Sequence, residues 1–148
     1  MRTINEIIIH CSASHWGNAA EIDKWHKARG WDGIGYHYVI GNAYPTAENY
    51  KDGQPEFSLD GNLETGRVLG RIGAHCRGHN KHSVGICLIG KRTFTRAQFA
   101  TLSSLVKLIK STRPGLSVWG HYEFFNGKTC PNINIDHLNM QLDGESVL

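Results

Sequence analysis

Three side chains in this 148-residue sequence have the types to hold a soft divalent metal, and each follows a short apolar run or lies in the loop beyond one: His10, His121 and Cys130. Two imidazoles and a thiolate are good zinc donors, and three protein ligands leave a fourth tetrahedral position for water, the catalytic rather than the structural pattern. Zinc held this way lowers the pKa of water to about 7 and polarises a carbonyl oxygen. A histidine pair with a cysteine more than 100 residues from the first matches no local zinc signature. Residue types alone therefore also allow a core histidine, a surface histidine and a buried thiol. Cys11 is a rival ligand, but as the strand neighbour of His10 it should face the other way and serve as a small buried hydrophobe. His121 with Cys130 would also allow a cysteine peptidase, which needs no metal.

The elements that must position these groups are readable from periodicity. Ile4 to His10 is an apolar run, expected as a buried strand that delivers His10 at its C-terminal end. Residues 19–29 place Ile22, Trp25 and Ala28 on one helical face, with Gly30 as the stop. Tyr36 to Ile40 is aromatic and β-branched, hence a strand. Residues 41–61 carry Gly, Asn, Pro and Asp and read as a long surface loop, with Asp60-Gly61 turning into a strand around Leu63. Val84 to Ile89 is apolar on both faces, as in a central strand covered by helices on both sides. Thr95 and Gln98 form a capping-box pattern ahead of Phe99, Leu102, Leu105, Val106 and Ile109 at helical spacing. Pro114-Gly115 ends that helix, and Val118-Trp119 form a last short strand leading to His121. The expected fold class is α/β: a single domain over 1–148, with a central mixed β-sheet flanked by helices. Strand ends are where such a sheet places functional side chains.

Four segments occur in an order that resembles the type-2 N-acetylmuramoyl-L-alanine amidases. They are His10-Cys11-Ser12-Ala13-Ser14, Trp31 to Ile40 with Gly35-Tyr36-His37-Tyr38, Gly73 to Gly90, and Gly120-His121-Tyr122-Glu123 with Lys128-Thr129-Cys130-Pro131. That family includes amidase-type phage lysozymes and is related to the peptidoglycan recognition proteins. The resemblance covers about residues 4–135 and leaves 136–148 as an unmatched tail. It implies one zinc ion on His10, His121 and Cys130, and cleavage between N-acetylmuramic acid and L-alanine of bacterial peptidoglycan. It also implies catalytic roles for Tyr36, as a donor to the developing oxyanion, and for Lys128, as a fixed cation. His75 matches a family histidine near the substrate groove. Arg77 could pair with a stem-peptide carboxylate, and Asn80 could hydrogen-bond sugar or peptide. His37 is expected in a structural hydrogen-bonded role. His15, His26, His79, His82 and His137 are read as surface or packing residues, and Glu64 and Arg67 receive no role. The chain departs from the phage pattern in a longer 41–60 loop and in Phe124-Phe125-Asn126-Gly127, which adds about one residue before Lys128.

Bulk properties exclude several classes. The charge of +3, from 16 basic and 13 acidic residues, is spread without a basic run, so no nucleic-acid partner is expected. No stretch approaches the roughly 20 apolar residues that span a membrane, so no membrane insertion is expected. The N-terminus shows no basic region followed by an apolar core, so synthesis in the cytoplasm is expected, with action on the wall after release by another route. The four cysteines are expected as free thiols, and the chain as a monomer with peptidoglycan as its partner. A non-catalytic peptidoglycan-binding module on the same fold is the main alternative; an intact Cys130 argues against it.

Overall fold

The computed structural model describes residues 2–139. The strand that carries His10 is β1 (Glu6–Cys11), whose isoleucine run is buried on both sides. Parallel neighbours flank it: β4 (Ser83–Leu88) on one side and β5 (Ser117–Gly120) on the other. β2 (Tyr38–Ile40) pairs parallel with β4, and β3 (Leu63–Thr65) closes that edge antiparallel to β2. The order is β3-β2-β4-β1-β5, so the sheet is mixed and β4 lies at its middle.

Strand alternation sorts the side chains onto two faces. Ile7, Ile9, Val84, Ile86, Leu88 and Val118 point to one face, against Leu102, Leu105, Val106 and Ile109 of α3 (Arg96–Thr112). Thr95 and Gln98 close the capping box, and the buried Gln98 amide donates to the carbonyls of Ile40 (3.2 Å) and Ile89 (2.8 Å). That pins the start of α3 to the C-terminal ends of β2 and β4. On the other face, Val39, Cys87 and Ile89 pack with Ile22 and Trp25 of α1 (Ala19–Ala28), which Asn18 caps by accepting from the Glu21 N–H. Both faces of β4 are thus covered by helices. His10 lies on the same face as α1, toward the β1–β5 side of the sheet.

The long loop contains structure that periodicity did not reveal. α2 (Ala47–Lys51) is capped by Thr46, and a 3-10 turn spans Phe57–Leu59. The five residues of α2 are too few to display a helical period, so the local cap decides. Gly61 supplies the positive φ of 80° that the turn toward β3 requires. Strand bounds also move: β1 runs Glu6–Cys11 rather than Ile4 to His10, and β2 starts at Tyr38 rather than Tyr36. Residues 135–139, which lead into the unmatched tail, are helical, and Ile135 and Leu138 are buried in the larger core. Residues 140–148 of that tail lie outside the described residues.

Candidate metal centre and adjoining cleft

β1 delivers His10. With hydrogen-bonded neighbours on both sides, the strand fixes the backbone, and the imidazole is 1% exposed on the face opposite α3. His121 begins a 3-10 turn directly after β5, half-buried, its ring 4.5 Å from that of His10. Cys130 arrives on the following loop. Tyr122 N–H donates to its carbonyl (2.8 Å), and Cys11 N–H donates to its Sγ (3.0 Å). The ligand atoms of His10, His121 and Cys130 all lie within 4.8 Å of one another. Among the described residues, this is the group of three or more histidine, cysteine or acidic side chains gathered closely enough to hold an ion.

The electrostatics favour neutral imidazoles. Burial, then repulsion from His75 and His121, holds His10 well below the usual histidine value. Burial and the nearby Lys128 ammonium lower His121. Cys11 and Cys130 behave as one titrating pair: the hydrogen bond between their side chains lowers Cys11 to about 7 and raises Cys130. Two neutral imidazoles and a thiol, with no carboxylate among them, suit zinc better than magnesium or calcium. The Cys11 thiol is buried and stands outside the gathered donor set, although it meets the Cys130 thiol and is touched by the Asn132 amide (4.0 Å). All four cysteines are free.

Tyr36 sits beside the donors, its ring 5.1 Å from that of His10, and packs with Cys87 and Ile34. Burial, followed by the neighbouring Cys87, Cys130 and Cys11, raises its pKa well above 10, so the hydroxyl remains a donor. His75 touches His10 (His75 Nδ1 to His10 Nε2, 2.9 Å) and is 9% exposed. Lys128 is exposed at the mouth of a cleft of about 280 Å³ that also takes in His75, Arg77, Asn80 and His121. Tyr36 does not line this cleft; it meets the site through His10. The Asn80 side-chain oxygen is committed to its own loop, accepting from the N–H groups of His75 and Cys76 (2.9 Å each). A larger hollow of about 570 Å³, with Tyr44, Tyr50, Phe57 and Phe94, contains none of the three donors.

The profile of the N-acetylmuramoyl-L-alanine amidase family matches residues 1–133. The chain belongs to that family. An endolysin of Klebsiella phage KP32 is 31% identical over 142 residues, covering 88% of this chain and 82% of that one. The amidase LysC of Clostridium intestinale superposes with a TM-score of 0.77 at 25% identity, over 96% of this chain and 87% of its own. The bumblebee recognition protein PGRP-SA superposes with a TM-score of 0.68 at 28% identity, over 88% and 77%. The expected fold class and family thus hold for this amidase.

Other site features carried weaker signals in the sequence. Trp31 and Phe125 wall the cleft, and Phe125 meets the His121 ring edge-on at 5.3 Å. Gly85 is the clearest omission. A Cβ there would lie 2.5 Å from the His75 ring, so the strand gives up a side chain to seat that imidazole. A glycine inside an apolar strand marks close approach of another group, and that was the available signal. Among the histidines without a site role, His26 is buried, accepting the Gly35 N–H at Nδ1 (2.9 Å). His37 accepts the Gly85 N–H at Nδ1 (3.0 Å), which leaves its Nε2 to donate to the Arg71 carbonyl (2.8 Å).

Proposed function

We propose that this amidase hydrolyses the bond between N-acetylmuramic acid and L-alanine of bacterial peptidoglycan in a zinc-dependent reaction, with one zinc on His10, His121 and Cys130. Membership of the amidase family supports the reaction class. The observation that carries the zinc dependence is the convergence of the three donors within 4.8 Å. When bound, zinc supplies a Lewis acid for the scissile carbonyl and acidifies water.

The chain's own residues do the rest. His10 and His121, kept neutral, have lone pairs to offer a metal. Tyr36 donates a hydrogen bond to the oxyanion as it forms, and its raised pKa keeps that proton in place. Lys128, at the rim, adds a positive charge that grows in value as negative charge develops. Arg77, exposed on the same cleft, pairs with a stem-peptide carboxylate. Trp31 and Phe125 offer apolar walls. A metal-free cysteine nucleophile would use Cys130 and His121 alone and leave the convergence of His10 on the same point without a role.

Digestion of purified peptidoglycan tests the bond assignment. The expected products are new L-alanine amino termini without new reducing sugars. Reducing ends without new amino termini would contradict it.

A further inference from the structure

We propose that His75, backed by Ser83, is a positioning residue that fixes the orientation and tautomer of His10, so that His10 Nδ1 faces the metal. The inference rests on the zinc reading. His10 Nε2 and His75 Nδ1 are 2.9 Å apart, and the two rings meet edge to face at 86° with centroids 4.9 Å apart. His75 Nε2 lies 3.3 Å from Ser83 Oγ, and Ser83 is wholly buried. A metal on Nδ1 of His10 puts the remaining proton on Nε2, which donates to His75 Nδ1. His75 then carries its own proton on Nε2 and donates it to the Ser83 hydroxyl. Every buried N–H along this line has an acceptor. His75 itself falls outside the group of gathered donor atoms, so it touches the ligand rather than the metal.

The seat of His75 is built before any substrate arrives. A Cβ at Gly85 or Gly73 would lie 2.5 or 2.7 Å from its Cδ2, and the Asn80 oxygen holds its backbone N–H. Both ring nitrogens are engaged by protein, which leaves neither for a sugar or peptide. This replaces the substrate-contact role expected for His75 with one exerted through His10. An imidazole ligand whose second nitrogen has a fixed partner is held in one tautomer and one orientation.

The test is zinc affinity, measured by competition with a chromophoric chelator, on the whole chain and on His75→Asn, His75→Leu, His75→Gln and Ser83→Ala. Loss of such an outer partner typically weakens metal binding about 10- to 100-fold. His75→Leu is expected in that range. His75→Asn, whose side-chain oxygen can occupy the Nδ1 position, is expected to restore most of the affinity. His75→Gln reaches the Nε2 position instead and is expected to resemble His75→Leu, so it serves as the comparison should the leucine variant fail to fold. Ser83→Ala is expected to weaken zinc less than His75→Leu. Cobalt-substituted protein should show the wild-type visible band in His75→Asn, since no ligand is lost. Unchanged zinc affinity in His75→Leu and His75→Gln with a raised KM would overturn the proposal in favour of substrate contact. A changed cobalt spectrum in His75→Asn would overturn it in favour of direct ligation. Absence of zinc from the wild-type chain would defeat the metal reading itself, whereas variants equal to a zinc-binding wild type defeat the positioning role alone.

Discussion

Tyr36 and Lys128 are the groups whose removal separates chemistry from metal retention. Neither belongs to the gathered donor set, so Tyr36→Phe and Lys128→Ala should leave zinc content near that of the unaltered chain. Each should lower turnover of purified peptidoglycan by roughly 100- to 1000-fold, the usual cost of deleting one preorganised donor to an oxyanion. An ordinary exposed lysine would change almost nothing, so near-normal turnover of Lys128→Ala would remove it from the mechanism. The two cysteines give a second contrast. Cys130→Ser should lose both zinc and hydrolysis. Cys11→Ser should keep most of both, because what Cys11 gives Cys130 Sγ includes a backbone N–H at 3.0 Å that serine retains. The reverse pattern, measured as zinc per chain beside activity, would assign the ligand to Cys11. Residue types alone could not choose between these thiols; the opposite facing expected of strand neighbours is the sequence ground for preferring Cys130, and its sulfur, not that of Cys11, belongs to the gathered donor set.

At the scale of elements, β1, β4 and α3 were legible because their periods run long enough to speak: a continuous isoleucine run, a two-faced apolar strand, and five apolar positions behind a capping box. α2 was not, since its five residues are held by Thr46 and by neighbours in the folded chain. His26 was read only as surface or packing, yet it docks α1 onto the segment leading to Tyr36 by accepting the Gly35 N–H. Burial, with Arg29 and Arg67 nearby, lowers its pKa to about 4, and burial lowers His37 to a similar value. In the unfolded chain both stand near 6.5. Above pH 6.5 they are neutral in both states and their full contribution is present. As pH falls from 6.5 toward 4, the unfolded chain takes up protons first, so stability is lost across that window and levels off below it. The thermal midpoint should therefore drop between pH 7 and pH 5. His26→Asn, which preserves an acceptor for Gly35, should drop less. Equal drops in the two proteins would show that His26 does not drive the effect.

Across the whole molecule, the donors come together because parallel pairing of β1 with both β4 and β5 sets His10 and the start of the His121 turn side by side. No spacing rule encodes that juxtaposition across more than a hundred residues. The order of short motifs carried it, whereas the cleft walls Trp31 and Phe125 and the seat of His75 depend on how loops fold over the sheet. No helix among the described residues is long and apolar enough to cross a membrane. The central claim is that hydrolysis depends on one zinc held by His10, His121 and Cys130. The measurement that tests it most directly is metal content and peptidoglycan hydrolysis on the same dialysed sample, before and after a strong chelator and again after added zinc. About one zinc per chain is expected, with activity lost on stripping and regained on readdition. Full hydrolysis by protein that contains no stoichiometric transition metal would contradict the account.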